Sequence, residues 1–369
     1  MGRVLVRGSF ILFGVAIALG AIGLGYRAWR QHDNAVALAI ATPNGIDEAR
    51  FVSIGGIEQW ITIRGEDRAN PIVLILAGGP GNSLVPLASV FRAWERQFTV
   101  VQWDQRGAGK TYGKNGAREA PMTIERMRDD GIELTRLLLD ELHRPKLILV
   151  GHSWGTVLGV TMVKAHPELY HAYVGTGQVV AKEEKEEILY ADLLQTVEDA
   201  HDDDGIAKLE AIGAPPYKSQ TDLLVEREVS ERYDTPAERD LEATLRPVVL
   251  FAPSFSMDDI YSMLQGSKFA SNALYREMLG YDARALGLEF AVPFFVFNGD
   301  ADRVTPAALA ERYVESISAP QKAFVVLPGG GHSAILTMSD RFLDELVTRV
   351  RPLATSDQRR RERQVHGRE

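Results

Sequence analysis

Five short, nearly continuous apolar runs constrain this chain more than any other feature of its sequence. They occupy residues 72–76, 98–103, 147–150, 294–297 and 324–327. Apolar runs of this length are typical of strands buried on both faces, as in a parallel sheet. Helical patterns separate them, notably at residues 124–142 and 157–164. The alternation predicts a doubly wound α/β fold with a mostly parallel sheet.

Two regions interrupt this alternation. Residues 51–54 and 57–63 alternate in polarity around Gly55 and Gly56, which predicts an edge hairpin. From about residue 180 to 289 the strand rhythm stops and charge-rich, helix-like sequence takes over. We interpret this stretch as a helical insertion. The predicted domain limits are 45–179 and 290–354 for the two parts of the α/β core, 180–289 for the insertion and 355–369 for a charged tail.

The N-terminal segment contains an uncharged apolar run at residues 9–26, with basic residues on both sides of it. Eighteen residues in a helix just span a bilayer core of ~30 Å at ~1.5 Å per residue. We therefore expect residues 1–30 to form a membrane anchor with the membrane as a partner. The alternative is a signal peptide that is cleaved on secretion. The flanking charges give no firm orientation, and an extracytoplasmic catalytic domain is the weaker expectation.

Composition excludes several classes of function. The formal net charge of -9 argues against a nucleic-acid binder, which needs a basic face for the phosphates. The basic run at 359–363 is interpreted as part of a solvated tail. The chain has no cysteine, which rules out disulfides, a thiol nucleophile and Cys-ligated zinc. No metal or organic cofactor is implied.

The pentapeptide Gly-His-Ser-Trp-Gly at residues 151–155 carries the clearest chemical signal. It directly follows the predicted strand at 147–150 and directly precedes a helical pattern. A G-x-S-x-G motif in that context forms a sharp turn that exposes the serine hydroxyl, and its glycines leave room for the turn. The sequence therefore predicts Ser153 as a nucleophile.

A serine nucleophile needs a general base and an acid that orients it. His332 follows three glycines after the predicted strand at 324–327, in a loop that can bring an imidazole over the end of the sheet. Asp302 follows the predicted strand at 294–299, and so lies between Ser153 and His332 in chain order. Asp300 follows the same strand and is interpreted as a turn-forming residue.

Catalysis by acyl transfer also needs donors for the oxyanion. The glycine-rich stretch at residues 77–81 leaves the predicted strand at 72–76, where the second donor is expected. The backbone N–H groups of Gly79 and Trp154 are the candidates, with Gly78 supporting the loop. A phosphate-binding loop ending in the G-K-T at 109–111 is rejected because Asp104 occupies a position that requires glycine.

Three of these stretches together resemble the α/β-hydrolases and, within them, the proline iminopeptidase group. That group combines H-G-G-P-G, D-Q-R-G-x-G and G-x-S-W-G, which correspond here to residues 77–81, 104–109 and 151–155. The resemblance covers roughly residues 50–350. It implies an α/β-hydrolase fold and makes the insertion a helical cap that sets specificity. It also implies that Asp104 and Arg106 brace the loop below the active site.

The chain also departs from that group. Ala77 replaces the histidine before the glycine pair, and the cap signature that supplies glutamates for the amine of the substrate is missing. The candidates for that role are Glu183 and Glu184 at the start of the insertion.

The sequence thus predicts a serine hydrolase that acts on a small molecule or short peptide, releasing N-terminal proline or small residues. A carboxylesterase or lactonase is the alternative, and a non-catalytic membrane-tethered binding protein is the more remote one.

Overall fold

The computed structural model describes residues 2–119, 122–217 and 219–355, with N-terminal side chains from Ile17. The predicted tail lies outside this description from residue 356. The strands are Ile46–Ile54 (β1), Ile57–Gly65 (β2), Ile72–Leu76 (β3), Thr99–Asp104 (β4), Leu147–His152 (β5), Tyr170–Thr176 (β6), Phe294–Gly299 (β7) and Lys322–Leu327 (β8). The α-helices are Gly2–Leu38 (α1), Gly109–Asn115 (α2), Ile124–Glu141 (α3), Trp154–Ala165 (α4), Lys182–Asp199 (α5), Asp203–Ile212 (α6), Gln220–Glu231 (α7), Pro236–Arg239 (α8), Leu241–Leu250 (α9), Met257–Leu279 (α10), Ala307–Ser316 (α11), Ala334–Thr337 (α12) and Ser339–Glu345 (α13).

The strands form one sheet in the order β1-β2-β4-β3-β5-β6-β7-β8. The six strands from β3 to β8 pair in parallel, whereas β1 and β2 pair antiparallel at one edge. The predicted mostly parallel sheet is therefore confirmed, and the predicted hairpin is β1–β2, with Ile54 opposite Ile57. The sequence analysis missed β6, where His171 interrupts the apolar run.

Strand β3 shows how the sheet divides the core. Val73 and Ile75 belong to the apolar cluster on one face, which includes residues of α13, and Leu74 and Leu76 belong to the cluster with α3 and α4 on the other. Successive strand residues point to opposite faces, so a fully apolar strand requires a layer of helices on both sides. The carboxyl ends of β3, β5 and β7 consequently meet at one well-supported edge.

Strand β8 differs from the prediction that both of its faces are buried. It lies at the edge of the sheet, and the side chain of Val326 is 42% exposed. An edge strand has a neighbour on one side only, so apolar residues alone do not indicate burial on both faces.

The helices α5 to α10 lie between β6 and β7 and form the region that we call the cap. Four of its residues form a small apolar core of their own, namely Leu193, Val197, Leu209 and Val229. Helix α10 packs on the loop after β3, where Ser267 Oγ donates to Asn82 Oδ1 at 3.0 Å and Ser271 Oγ to Pro80 O at 3.4 Å. The cap therefore lies over the carboxyl edge of the sheet.

The predicted membrane anchor at residues 1–30 is not supported. Among the described residues, no helix combines the length and apolar character that crossing a membrane requires. The C-terminal part of α1 instead makes polar contacts with the segment that joins α9 to α10. Arg27 Nε donates to Leu250 O at 3.0 Å, Gln31 Nε2 to Ala252 O at 2.7 Å and Asn34 Nδ2 to Phe251 O at 2.9 Å. The cellular location stays a prediction.

Candidate active site

Ser153 lies at a sharp turn between β5 and α4. Its backbone φ is +53° and ψ is -120°, a conformation that side-chain-bearing residues rarely adopt. The turn is possible because its flanking residues lack side chains. A Cβ on Gly155 would lie 2.1 Å from Leu76 O, and one on Gly151 would lie 2.5 Å from Gly155 O. The structure therefore holds the half-buried serine in the strained turn that the sequence motif predicts.

Three side chains from different strand ends form one hydrogen-bonded chain. His332 Nε2 lies 2.9 Å from Ser153 Oγ, and His332 Nδ1 lies 3.1 Å from both carboxylate oxygens of Asp302. An ionised carboxylate only accepts, so Nδ1–H donates to Asp302 and Nε2 is left to accept from the serine hydroxyl. The predicted residues are thus brought together with the tautomer that allows the imidazole to accept a proton from Ser153.

The carboxylate of Asp302 is buried but well supplied with donors. Its Oδ1 accepts the backbone N–H groups of Val304 at 2.8 Å and Thr305 at 2.7 Å, and its Oδ2 accepts Thr305 Oγ1 at 2.6 Å. Burial alone would raise the pKa of Asp302, but the charge and hydrogen bond of His332, with the hydrogen bonds from Thr305, bring it below its ordinary value. Asp302 therefore remains ionised beside the imidazole.

Asp300 has a different position. Its Oδ1 accepts the backbone N–H of Gly329 at 2.7 Å, so it ties the loop after β7 to the loop after β8. It holds the backbone of the His332 loop, whereas the carboxylate that contacts the imidazole ring is that of Asp302. This arrangement matches the turn-forming role expected from the sequence.

His152 lies buried beside Ser153, and burial lowers its pKa to about 3. Its Nε2 is 3.2 Å from the backbone carbonyl of His332. A carbonyl only accepts, so the neutral ring donates from Nε2 and holds the backbone of the His332 loop. The sequence carries no signal for this contact, which depends on how the loops after β5 and β8 pack together.

The oxyanion candidates lie around the serine. A Cβ on Gly78 would lie 3.2 Å from Ser153 Cβ, which places that loop against the nucleophile, and Gly79 has a φ of +117°. Trp154 is the first residue of α4, where the helix dipole favours negative charge. Gln105 joins these two parts, since its Nε2 donates to Ala77 O at 3.4 Å and its Oε1 accepts Trp154 Nε1 at 3.1 Å. The sequence analysis did not single out Gln105.

Asp104 and Arg106 lie below the site, buried beside the end of β4. Asp104 Oδ2 accepts the backbone N–H of Lys110 at 2.8 Å at the start of α2, and burial raises the pKa of Asp104 to about 6. Arg106 donates from Nε to Asp130 Oδ2 at 2.9 Å and from Nη2 to Gly55 O at 3.0 Å. Both side chains thus hold structural elements below the site.

The fold and these contacts agree with a match to a known family. The sequence profile of the alpha/beta hydrolase fold matches residues 71–338, which include Ser153, Asp302 and His332. The chain belongs to the α/β-hydrolase family. It is therefore a hydrolase, and the resemblance identified from its motifs is confirmed at the level of the family.

Three individual proteins illustrate the relatives of this hydrolase. The probable aminopeptidase YbaC of Bacillus subtilis is 30% identical over 304 residues, which cover 81% of this chain and 95% of the relative. A probable proline iminopeptidase of Streptomyces coelicolor is 29% identical over 152 residues, covering 41% of this chain and 46% of the relative. The solved structure of a proline iminopeptidase-related protein from Thermus thermophilus superposes with a TM-score of 0.57 at 19% identity, covering 84% of this chain and 99% of that one.

The cap of the hydrolase contains a cavity of about 500 Å³ at the start of α5. Glu183 lines it together with Glu186 and Tyr217. Glu184 instead pairs on the exposed surface with Arg284 at 2.7 Å and Arg312 at 3.1 Å. The two glutamates predicted for substrate binding are thus separated: one lines the cavity and the other is held by arginines outside it.

The sequence analysis missed Glu226, a buried carboxylate whose charge acts on Tyr217 and Glu186 of the cavity wall. Glu226 is fully buried, and neither of its oxygens accepts a hydrogen bond from the described residues. Burial raises the pKa of Glu226. The positive charge of Arg227, whose Nε lies 3.4 Å from Glu226 Oε2, partly offsets this rise. Burial also raises the pKa of Tyr217, with contributions from the charges of Glu226 and Glu186. Among the described residues no group of three or more His, Asp or Glu side chains is arranged to hold a metal ion.

Proposed function

We propose that this hydrolase is a serine aminopeptidase that releases N-terminal proline or small residues from short peptides. Ser153 attacks the scissile carbonyl while His332 accepts its proton, and Asp302 fixes the tautomer of the imidazole. The protonated His332 then gives that proton to the leaving amine. Water, activated by the same imidazole, cleaves the acyl-enzyme and restores Ser153.

The observation that carries the reaction class is the hydrogen-bonded chain from Ser153 through His332 to Asp302, at 2.9 and 3.1 Å. These distances lie within the range expected of a nucleophile and its base. The backbone N–H groups of Gly79 and Trp154 are the proposed donors to the oxyanion, because both lie in turns next to the serine.

Recognition of a free amine requires a carboxylate whose charge is not already balanced. Glu186 has three cationic neighbours, with Lys185 Nζ at 3.0 Å, Lys182 Nζ at 3.5 Å and Arg227 Nη2 at 3.6 Å. Among the described residues, Glu226 forms an ion pair with Arg227 at 3.4 Å, and neither of its oxygens accepts a hydrogen bond. The charges of Lys185 and Lys182 act on it more weakly than that of Arg227. A buried carboxylate without donors is costly, so an ammonium group that reached it would gain a strong partner.

Glu226 is therefore the proposed partner of the substrate amine, with Glu183 on the cavity wall as the second candidate. The relatives named as aminopeptidase and proline iminopeptidases support this choice of substrate class. The apolar side of the cavity, which includes Leu223 and Leu279, suits a short ester as well. A carboxylesterase or lactonase is therefore the second candidate function.

The deciding experiment compares proline and alanine nitroanilides, with and without an N-terminal acetyl group, against short-chain nitrophenyl esters. We expect acetylation to abolish turnover of the nitroanilides, because it removes the charge that the cap recognises. The Ser153→Ala variant is the control and should be up to about a million-fold slower on every substrate. Equal turnover of acetylated and free nitroanilides would reject amine recognition and leave an amidase. Turnover of esters alone would reject the aminopeptidase and leave an esterase.

A further inference from the structure

The loop that carries His332 contacts the cap at the side chain of Glu238 in α8. Glu238 Oε1 accepts the backbone N–H of Ser333 at 2.7 Å. On the other side of the histidine, a Cβ on Gly331 would lie 2.3 Å from Glu238 Cγ and 2.8 Å from Cδ. One carboxylate side chain of the cap therefore contacts both chain neighbours of the imidazole-bearing residue.

Glu238 is itself held firmly. It lies in a four-residue helix whose N-cap residue, Thr235, accepts the Glu238 backbone N–H on its side-chain oxygen at 3.3 Å. Pro236 occupies the first helical position, where its fixed φ stabilises the turn. The carboxylate thus reaches the core from a short, well-capped element of the cap.

The other supports of the same loop come from the α/β core. Asp300 Oδ1 accepts the N–H of Gly329 at 2.7 Å, and His152 Nε2 lies 3.2 Å from the carbonyl of His332. Thr337 Oγ1 donates to Ser333 O at 3.3 Å as well. The backbone of residues 329–333 is therefore held by side chains of the core and by Glu238 of the cap. A base must lie within a narrow distance of its nucleophile, so loss of one support affects the reaction directly.

We propose that Glu238 is a positioning residue for His332, through which the position of the cap is transmitted to the general base. This inference rests on the proposed role of His332 as the base of Ser153. The hydrogen bond goes to a neutral N–H, so the acceptor oxygen matters and the negative charge does not. Glutamine keeps such an oxygen, whereas alanine removes it.

The test measures the rate at which a fluorophosphonate labels Ser153, together with kcat and KM for the best substrate. We expect Glu238→Ala to lower the labelling rate and kcat by about tenfold to a hundredfold, with little change in KM. Glu238→Gln should remain within roughly threefold of the wild type, because the amide oxygen still accepts the hydrogen bond. Glu242→Ala is the matched control, since that cap carboxylate is exposed and pairs with Arg246.

A second variant perturbs the contact without removing the carboxylate. Gly331→Ala should displace the side chain of Glu238 and slow labelling in the same way, with a circular dichroism spectrum that shows the fold intact. Labelling of Glu238→Ala at the wild-type rate, a rise in KM with kcat unchanged, or a glutamine variant as slow as the alanine variant would overturn the proposal. If the wild-type protein itself failed to label, the proposed Ser153–His332 pair would be at fault instead.

Discussion

The carboxyl edge of the sheet and the cap achieve their geometry in different ways. At the sheet edge, Ser153, Asp302 and His332 each follow a strand by at most five residues, and β5 and β7 are fully buried. In the cap, Glu226 and Glu238 lie on helices whose contacts with the core depend on residues far away in sequence. Local structure therefore places the three proposed catalytic side chains, whereas long-range packing places the residues that we propose for amine recognition and for positioning His332.

The strongest test of the sheet edge compares two carboxylates on one loop. Asp302→Asn should lower kcat by roughly ten-thousand-fold, because an amide no longer fixes the imidazole tautomer. Asp300→Asn keeps an oxygen for the N–H of Gly329 and should cost less than about tenfold. Steady-state kinetics on the best substrate, with thermal unfolding as a check on the fold, distinguish them. The opposite ranking would assign the orienting acid to Asp300.

The pH dependence of stability tests the core through Asp104. Burial raises the pKa of this carboxyl group to about 6. Between about pH 4 and pH 6 the folded protein then binds more protons than the unfolded chain, so the free energy of unfolding falls as the pH rises. The effect amounts to about 3 kcal/mol for this shift. The Asp104→Asn variant should lack this pH dependence. The difference in free energy of unfolding, variant minus wild type, should therefore rise from pH 4 to pH 7.

Urea unfolding of both proteins at several pH values gives this difference directly. Other titrating groups cancel in the comparison, and asparagine retains an acceptor for the N–H of Lys110. Parallel pH profiles for the two proteins would show that Asp104 is ionised at its ordinary pKa in the folded state.

The smallest effect is expected in the cap. Glu226→Gln should lower kcat/KM for free-amine nitroanilides by about tenfold to a hundredfold, the value of one hydrogen bond to a charged group. Hydrolysis of nitrophenyl esters should not change. Glu184→Gln is the control and should have less than about a twofold effect, because its ion pairs are exposed. Equal losses on amine and ester substrates would show that Glu226 supports the cap and does not recognise the amine.

Much of the fold and the three central side chains could be predicted because their signals are local. A buried strand is an apolar run, and Ser153 and His332 follow such runs within glycine-rich turns. Val326 shows the limit of such local signals, because the sequence of a strand does not indicate whether that strand lies at the edge of the sheet. Glu238 shows the limit of sequence reasoning more clearly. Its hydrogen-bond partner, Ser333, is 95 residues away in the chain. A glutamate that follows Thr-Pro indicates only the start of a helix. Glu226 resembles any other glutamate of a charged helix until packing buries it.

The contacts of α1 have a consequence for the order in which the chain completes its structure. Arg27 and Asn34 bind carbonyl groups at Leu250 and Phe251, 223 and 217 residues further along the chain. At a synthesis rate of roughly 5–20 residues per second, those carbonyls emerge from the ribosome tens of seconds after the helix that binds them. Helix α1 thus docks there only after the strands from β1 to β6 have been synthesised.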